Sequence, residues 1–133
     1  MAEATITLRL TIADPVPGTR YSLQKDDVPC DPRTAKDEAL SFDIPVRLAD
    51  DGRLLGPFIR REGPERRFVY LRIGQSAGDC TSPWSRRAKI DVHDTPLAMR
   101  FAGAVLEVRL PGRAKDGTPA CATLRPLEGW RTV

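Results

Sequence analysis

Histidine and cysteine are scarce in this sequence of 133 residues. It contains one histidine, His93, and three cysteines, Cys30, Cys80 and Cys121, which lie far apart. An odd number of widely spaced cysteines fits neither a disulfide framework nor a Cys-x-x-Cys metal site. No two candidate ligands lie at a recognisable metal spacing, so we expect no metal, no cofactor and free thiols in a reducing cytoplasm.

Long apolar runs are also missing. No stretch approaches the ~20 apolar residues that a membrane helix needs. The segment Met1–Ile12 enters an alternating pattern without a basic region followed by an apolar one, so we expect no secretory leader. These features predict a cytoplasmic protein without a membrane segment.

Charge of one sign does not dominate the chain. Lysine and arginine number 21 against 18 aspartates and glutamates, which gives a net charge of +3. Proteins that bind nucleic acids concentrate their positive charge beside aromatic or helical readers, so we do not expect a nucleic-acid partner. The hydrophobic fraction of 41% is that of an ordinary globular chain, long enough to bury a core.

Much of the chain alternates between apolar and polar residues at period two. The pattern is clearest in Thr5–Ile12 and in Leu40–Leu48, and each predicts a strand with one buried face. The second carries Pro45, which cannot donate a hydrogen bond to a neighbouring strand, so we predict an edge strand there. The proline-containing segment Val28–Lys36 is predicted as a loop.

Further strands are predicted over residues 21–25, 54–60, 67–73, 85–92, 105–110 and 119–125. One short helix is predicted near residues 95–103, because Thr95 can cap it, Pro96 suits its first position and Gly103 can end it. About eight short strands with turns between them are typical of a sandwich or barrel. We therefore predict a mainly β fold: a single domain over residues 1–133, forming an antiparallel β-sandwich or flattened barrel.

A possible catalytic motif lies at Gly74–Gly78, which matches the G-x-S-x-G pattern of hydrolase nucleophiles. Asp91 and His93 follow in the order found in α/β-hydrolases. A small serine hydrolase using Ser76, His93 and Asp91 is therefore one hypothesis. The context opposes it, because turn-forming residues rather than a helix follow Ser76. The alternative is a glycine-rich loop between two strands.

A basic segment at the start of a predicted strand is a candidate anion-binding site. It contains Trp84, Arg86, Arg87 and Lys89. Arg87 and Lys89 are two residues apart and share one face of a strand. A row of charges is commonly only the solvated side of a sheet, but here an aromatic residue lies beside it. The leading hypothesis is a non-enzymatic binding module for an anionic small molecule or an acidic partner surface.

A second basic segment, FIRREGPERRFV over residues 58–69, reads nearly the same in both directions. If the turn is centred on its Gly-Pro pair, Arg60 faces Arg67 and Arg61 faces Arg66. Diagonal Arg–Glu contacts then relieve the repulsion on one face, whereas Arg61 and Arg66 have no such partner on the other. These two arginines are a further candidate site for an anion or an acidic partner.

A third hypothesis is self-association. The predicted edge strand around Pro45 would pair with the same strand of a second copy, because an exposed strand edge carries unpaired backbone groups. The chain would then be a structural domain that forms a homodimer.

Several short segments in order along the chain carry a family resemblance. They are Gly56–Phe58, Arg67–Leu71 with Gly74, Arg86–Ile90, and Cys121–Pro126 with Trp130. Together they resemble a family of uncharacterised small bacterial proteins, domain of unknown function family 5990. The resemblance spans Leu23 to Trp130 and implies a bacterial, stand-alone, cytoplasmic domain without an assigned activity. It includes Arg86, Arg87 and Lys89 but not the tip of the palindrome, so it favours the first basic segment.

Overall fold

The predicted mainly β architecture is confirmed. The computed structural model describes residues 4–25, 28–49, 53–62, 66–75, 87–92, 101–113 and 129–133, and no α-helix occurs in these ranges. In chain order the strands are β1 (Ala4–Ala13), β2 (Thr19–Lys25), β3 (Val28–Thr34), β4 (Leu40–Leu48), β5 (Leu54–Leu55), β6 (Ile59–Glu62), β7 (Arg66–Gln75), β8 (Arg87–Asp91), β9 (Val105–Pro111) and β10 (Arg131–Thr132). They form two sheets.

The first sheet has the strand order β10-β9-β1-β4-β5. Its central strand β1 pairs antiparallel with β4 and parallel with β9. The other described pairs are antiparallel, so the predicted antiparallel arrangement is confirmed with this one parallel pair as an exception. A parallel pair needs a long crossover connection, and here the whole second sheet lies between β1 and β9 in the chain.

The second sheet is organised around β7. Phe68 and Val69 pair with both β6 and β8, while Leu71 and Arg72 pair with both β2 and β8. Because a strand residue has one neighbour on each edge, β6 and β2 follow each other along one edge of β7 and β8 covers the other. The strand β3 pairs with the far edge of β2.

The two sheets share one hydrophobic core, which confirms the sandwich. The buried cluster takes apolar residues from alternate positions of the strands in both sheets: Ile6, Leu8, Leu10, Ile12, Phe42, Ile44, Val46, Leu106, Val108 and Leu110 from the first, and Tyr21, Leu23, Val69, Leu71 and Ile90 from the second. Burying each large apolar side chain contributes about 1.5–3 kcal/mol. The alternation predicted for β1 and β4 is therefore the pattern of their core faces.

The loop predicted over Val28–Lys36 is wrong, because Val28–Thr34 forms β3. This strand pairs with β2 on one side only among the described strands. A strand at the edge of a sheet needs backbone donors on a single side, so prolines are tolerated there. The two prolines that predicted a loop instead lie in a strand at the edge of the sheet.

The single strand predicted over residues 54–60 is also wrong. The chain turns at Gly56, where the Ile59 amide donates to the Gly56 carbonyl at 3.2 Å. The turn sends β5 to the first sheet and β6 to the second. A Cβ at Gly56 would lie 3.3 Å from the Pro45 carbonyl oxygen, so glycine permits this close approach.

The edge strand predicted around Pro45 is found only in part, because β4 lies between β1 and β5 in the first sheet. The short strand β5 pairs only with Arg47 and Leu48, so the rest of β4 pairs with β1 alone among the described strands. The Arg33 side chain of β3 reaches this edge from the second sheet. It donates to the Ser41 carbonyl at 2.6 Å, and its guanidinium carbon lies 4.8 Å from the centre of the Phe42 ring. Arg33 thus joins the open edge of β4 to the second sheet.

Most of the helix predicted near residues 95–103 lies within residues 93–100, and these are outside the described residues. After them, the Ala104 amide donates to the Phe101 carbonyl at 3.0 Å and closes a turn. Gly103 has a φ of 79° in this turn, a conformation that favours glycine. The strand predicted over 119–125 also lies outside the described residues, and the single-domain prediction stays a prediction.

Candidate functional site

The face of the second sheet that is turned away from the core is called the outer face here. On β7 the core positions are Val69 and Leu71, both fully buried. Because side chains alternate along a strand, Tyr70 and Arg72 belong to the outer face. The register pairs Tyr70 with Lys89 and Arg72 with Arg87. Lys89 and Arg87 of the first basic segment therefore share this face with Arg72.

The strand β2 extends the same face on the other side of β7. Ser22 pairs with Arg72, and Arg20 pairs with Gly74. A row across three strands therefore runs Ser22, Arg72, Arg87. Arg20 is exposed to solvent, whereas Ser22 retains only 4% of its surface.

Charged residues of both signs occupy positions of the outer face. The cationic residues come from β2, β6, β7 and β8, and we call them the cationic face: Arg20, Arg60, Arg66, Arg72, Arg87 and Lys89. Among the described strands, Glu62, Asp91 and Asp31 are carboxylates at positions of the same face, since Asp31 follows Cys30, the partner of core residue Leu23. The face is not uniformly open, because Phe68 retains only 2% of its surface and lies apart from the core cluster.

The register places arginines at facing positions twice in this sheet, as Arg72 with Arg87 and as Arg61 with Arg67. Like charges at facing positions of neighbouring strands destabilise a sheet by roughly 0.2–1 kcal/mol. An anion placed between two such positions would turn the repulsion into attraction.

The outward face of the first sheet is organised in the opposite way. A row across β4, β1, β9 and β10 alternates in sign: Asp43, Arg9, Glu107 and Arg131. Arg9 Nε lies 2.7 Å from Asp43 Oδ1, and Arg131 Nη2 lies 2.7 Å from Glu107 Oε1. The charges of this row are therefore satisfied within the sheet.

Hydrogen bonds hold both carboxylates of this row in their charged form. The hydrogen bond from Arg9 lowers the pKa of Asp43 below its usual value. Hydrogen bonds from Arg131 and, more weakly, from Thr11 lower the pKa of Glu107. The buried Thr11 hydroxyl donates to Glu107 Oε2 at 2.8 Å and lies 3.0 Å from Ser41 Oγ. This network stabilises the sheet and leaves the row no excess charge for a partner.

The register predicted for the palindrome is wrong by one residue. Arg61 faces Arg67, Arg60 faces Phe68, and Glu62 faces Arg66. The cause lies further down the hairpin, where Val69 is fully buried and its partner Ile59 packs against the core. A buried face determines register, because a slip by one residue would move the apolar residues to the wrong side.

Arg61 and Arg66 do not form the predicted pair. In the observed register Arg61 shares the core side of the hairpin with Arg67, and Arg66 belongs to the outer face. Arg61 is exposed, while Arg67 retains only 6% of its surface. The two positions therefore belong to opposite faces of the hairpin, and the position of Arg66 joins the cationic face.

A family comparison agrees with the resemblance seen in the sequence. The model of the Family of unknown function (DUF5990) matches residues 6–133. The chain belongs to the DUF5990 family. No curated protein and no solved structure matches it. Membership in DUF5990 brings no activity with it, so a function has to be argued from the two sheet faces.

Several predicted site residues of this DUF5990 chain lie outside the described residues. Trp84 and Arg86 are among them, as are Ser76 and His93 of the hydrolase hypothesis. Asp91 ends β8 opposite Phe68. The hydrolase triad and the part of the basic segment before β8 therefore stay predictions.

The described part of the chain holds neither a candidate metal cluster nor a membrane helix. No group of three or more His, Cys, Asp and Glu side chains lies close enough there to hold a metal ion. No helix in those ranges is long and apolar enough to cross a membrane.

Sequence reasoning missed Arg20 and Arg72 as candidate site residues. Each occupies a polar position in an alternating strand, which by itself is the ordinary pattern of a solvated face. Arg20 and Arg72 become candidates because β2, β7 and β8 are neighbours in the sheet. The sequence alone does not show which strands are neighbours. Arg20, Arg72 and Arg87 come together only through the sheet.

Proposed function

We propose that this chain is a non-enzymatic binding module whose cationic face binds an anionic small molecule or an acidic partner surface. The observation that carries the proposal is the facing pair Arg72 and Arg87, with Lys89 on the same face of β8 and Arg20 on β2. Guanidinium groups bind carboxylates and phosphates through paired, charge-assisted hydrogen bonds. Complementary charge across an interface also accelerates association.

The contrast between the two sheets supports this choice of face. The row on the first sheet satisfies its own charges through Arg9–Asp43 and Arg131–Glu107 contacts. The cationic face instead places two arginines, Arg72 and Arg87, at facing positions, which supports it as the docking face in our proposal.

The segment before β8 belongs to the same proposal. Trp84 and Arg86 precede Arg87 directly in the chain, and in our proposal they extend the binding surface beyond the end of the strand. The compartment we propose is the bacterial cytoplasm, supported by the family resemblance and by the scarcity of cysteine.

The test replaces Arg87 and Lys89 together with alanine. The probe is a fluorescein-labelled glutamate-rich peptide, with binding measured by fluorescence anisotropy at low ionic strength. We expect the double variant to lose about tenfold or more in affinity, because exposed charge attraction depends on both cations. Circular dichroism and thermal unfolding should show an unchanged fold.

The matched control removes the same charge from the first sheet. This control is the double variant Arg47→Ala/Arg109→Ala, because Arg47 on β4 and Arg109 on β9 lie on the outward face of the first sheet. Affinity for the peptide should stay within about twofold of the unmodified chain, because only long-range attraction changes. Equal losses in both double variants would mean that net charge alone governs binding, and the proposal would fail.

A further inference from the structure

We infer that this chain forms a face-to-face homodimer through the outward face of its first sheet. The inference does not depend on the anion-binding proposal, because it concerns the opposite side of the sandwich. Two neighbouring rows that cross the sheet carry it. The charged row is Asp43, Arg9, Glu107 and Arg131, and the uncharged row is Pro45, Thr7, Val105 and Val133.

The charged row is complementary to itself. From β4 to β10 its signs run minus, plus, minus, plus, so reading the row from the other end exchanges every sign. A twofold interface uses the same patch on both copies. If the axis runs parallel to the strands through the middle of the row, Arg131 of one copy lies over Asp43 of the other. Arg9 then lies over Glu107 in the same way.

The uncharged row is complementary to itself under the same axis. Thr7 is the Cα partner of Pro45 on β4 and of Val105 on β9. The Val133 amide donates to the Val105 carbonyl at 2.8 Å and extends the row past β10. The axis places Val133 of one copy over Pro45 of the other, and Val105 over Thr7. One placement of the second copy therefore suits both rows.

The side chains of the uncharged row are accessible to a second copy. Pro45 and Val133 at its two ends are exposed, and Thr7 and Val105 between them are partly exposed. Val133 keeps 62% of its surface, and Phe101, which lies just before β9, keeps 54%. They are the two large hydrophobic side chains that are exposed in the described ranges. Removing such side chains from water favours association.

The ion pairs inside the charged row do not prevent this contact. Arg9 and Arg131 each hold one carboxylate of their own chain at 2.7 Å, so the row has no net charge that would repel a second copy. The side chains of Asp43 and Arg131 retain 52% and 49% of their surface. They can contact the opposite charge of another copy and keep their own partners, because a carboxylate offers about four acceptor positions.

Pairing through the edge of β4 is disfavoured by comparison. Pro45 has no backbone donor, and its carbonyl oxygen lies 3.3 Å from the position that a Cβ of Gly56 would take. The Ser41 carbonyl accepts a hydrogen bond from Arg33. A second copy therefore finds these backbone groups covered, whereas the face beside them is exposed.

The size of the face predicts a weak dimer. Four strands about 4.8 Å apart, with about six residues each at about 3.3 Å per residue, cover roughly 400 Å² on each copy. Stable interfaces bury about 800 Å² per copy. Packed sheets keep their strands within about 30° of each other, which an axis parallel to the strands permits. We therefore expect a dimer that dissociates on dilution.

The first measurement is sedimentation equilibrium of the unmodified chain from micromolar to millimolar concentration. We expect the mass to rise from that of one chain towards that of two. The mass of one chain at every concentration would overturn the inference. It would leave the anion-binding proposal intact, because that proposal uses the other sheet.

The second measurement reverses charges at the exposed ends of the charged row. Asp43→Arg alone sets an arginine over Arg131, and Arg131→Glu alone sets a glutamate over Asp43. Each variant by itself should dimerise at least about tenfold more weakly, because the repulsion occurs twice in a symmetric dimer. In an equimolar mixture the new arginine of one variant meets the new glutamate of the other. Association should then return to within about threefold of that of the unmodified chain.

The matched control is Arg61→Glu, which reverses an exposed cation on the second sheet and should change dimerisation by less than about twofold. Circular dichroism checks the fold of every variant. If a reversal in the charged row does not fold, Val133→Glu replaces it, because it sets a charge over Pro45 and should also weaken dimerisation about tenfold. Variants that dimerise as well as the unmodified chain, or a mixture that does not regain dimerisation, would overturn the inference.

Discussion

Replacing Tyr21 with phenylalanine should stabilise the fold, although it removes a polar group. The Tyr21 side chain has no exposed surface, and its buried hydroxyl has no hydrogen-bond partner among the described residues. A buried polar group that lacks a partner costs about 1–3 kcal/mol, because it has lost its hydrogen bonds to water. Tyr21→Phe removes this cost and keeps the ring, so we expect the free energy of unfolding to rise by about 1 kcal/mol or more.

The measurement is denaturation by urea, followed by circular dichroism. The midpoint should rise at an unchanged slope, and the thermal midpoint should rise by roughly 3–5 °C. Thr19 carries the other buried hydroxyl without a partner on the same face of β2. Thr19→Val should therefore also stabilise the chain or leave it unchanged. A lower midpoint for Tyr21→Phe would refute the argument, since it would show that the hydroxyl contributes to stability.

Alkaline pH gives an independent readout of the same residue. Burial raises the pKa of Tyr21 from 10.0 to about 12, against a smaller opposing effect of Arg113. The neutral form is favoured in the folded state, so the stability due to Tyr21 is constant below pH 10 and falls as pH rises from 10 to about 12. A difference of about two pKa units corresponds to about 2.7 kcal/mol. The Tyr21→Phe variant should lack this loss, and an identical alkaline loss in both proteins would contradict the assignment.

Three further predictions concern the first sheet and its edges. Glu107→Gln should lower stability at pH 7 by up to about 1 kcal/mol and should flatten the acid limb of the stability profile. The lowered pKa of Glu107 means that its contribution is present above the ordinary carboxylate pKa and is lost as pH falls through the folded value. A steeper acid limb in chemical denaturation would contradict this. Gly112→Ala should destabilise the chain by about 1–3 kcal/mol, because its Cβ would lie 2.6 Å from the Pro15 Cα, and unchanged urea denaturation would show that the backbone can move aside. Arg33→Ala should release the Ser41 carbonyl on the open edge of β4 and promote pairing with a second copy. The mass measured by sedimentation velocity should then rise with protein concentration beyond that of the unmodified chain. A variant that stays monomeric at every concentration would count against this protective role.

Part of the fold could be predicted because its signal is local. The alternation in β1 and β4 requires no knowledge of neighbouring strands, and the residues it marked as buried are buried except Leu40 and Leu48 at the ends of β4, which are partly buried. Pro45 predicted an edge strand because the missing backbone donor is a property of the residue itself, and it lies in the part of β4 that does not pair with β5, although β5 forms the edge of the sheet. The same reasoning went wrong at Val28–Thr34, where prolines in an edge strand resembled those of a loop.

The rest depends on contacts between distant segments. The palindrome suggested a symmetric hairpin, but the burial of Val69 and Ile59 chose a register one residue away. Likewise Arg87 could be proposed from its own segment, whereas Arg72 became a candidate only when β7 was seen beside β8. The composition of a sheet face follows from strand order and register, and neither can be derived from one sequence.

The most direct test of anion binding is a titration of the ¹⁵N-labelled chain followed by two-dimensional NMR. The glutamate-rich peptide and O-phospho-L-serine are added separately at low ionic strength. The amide signals of Arg20, Ser22, Arg72 and Arg87 should shift together and saturate, while that of Arg9 on the first sheet should not move. Shifts centred on Arg9 and its row, or no saturable shifts anywhere, would contradict a binding site on the cationic face.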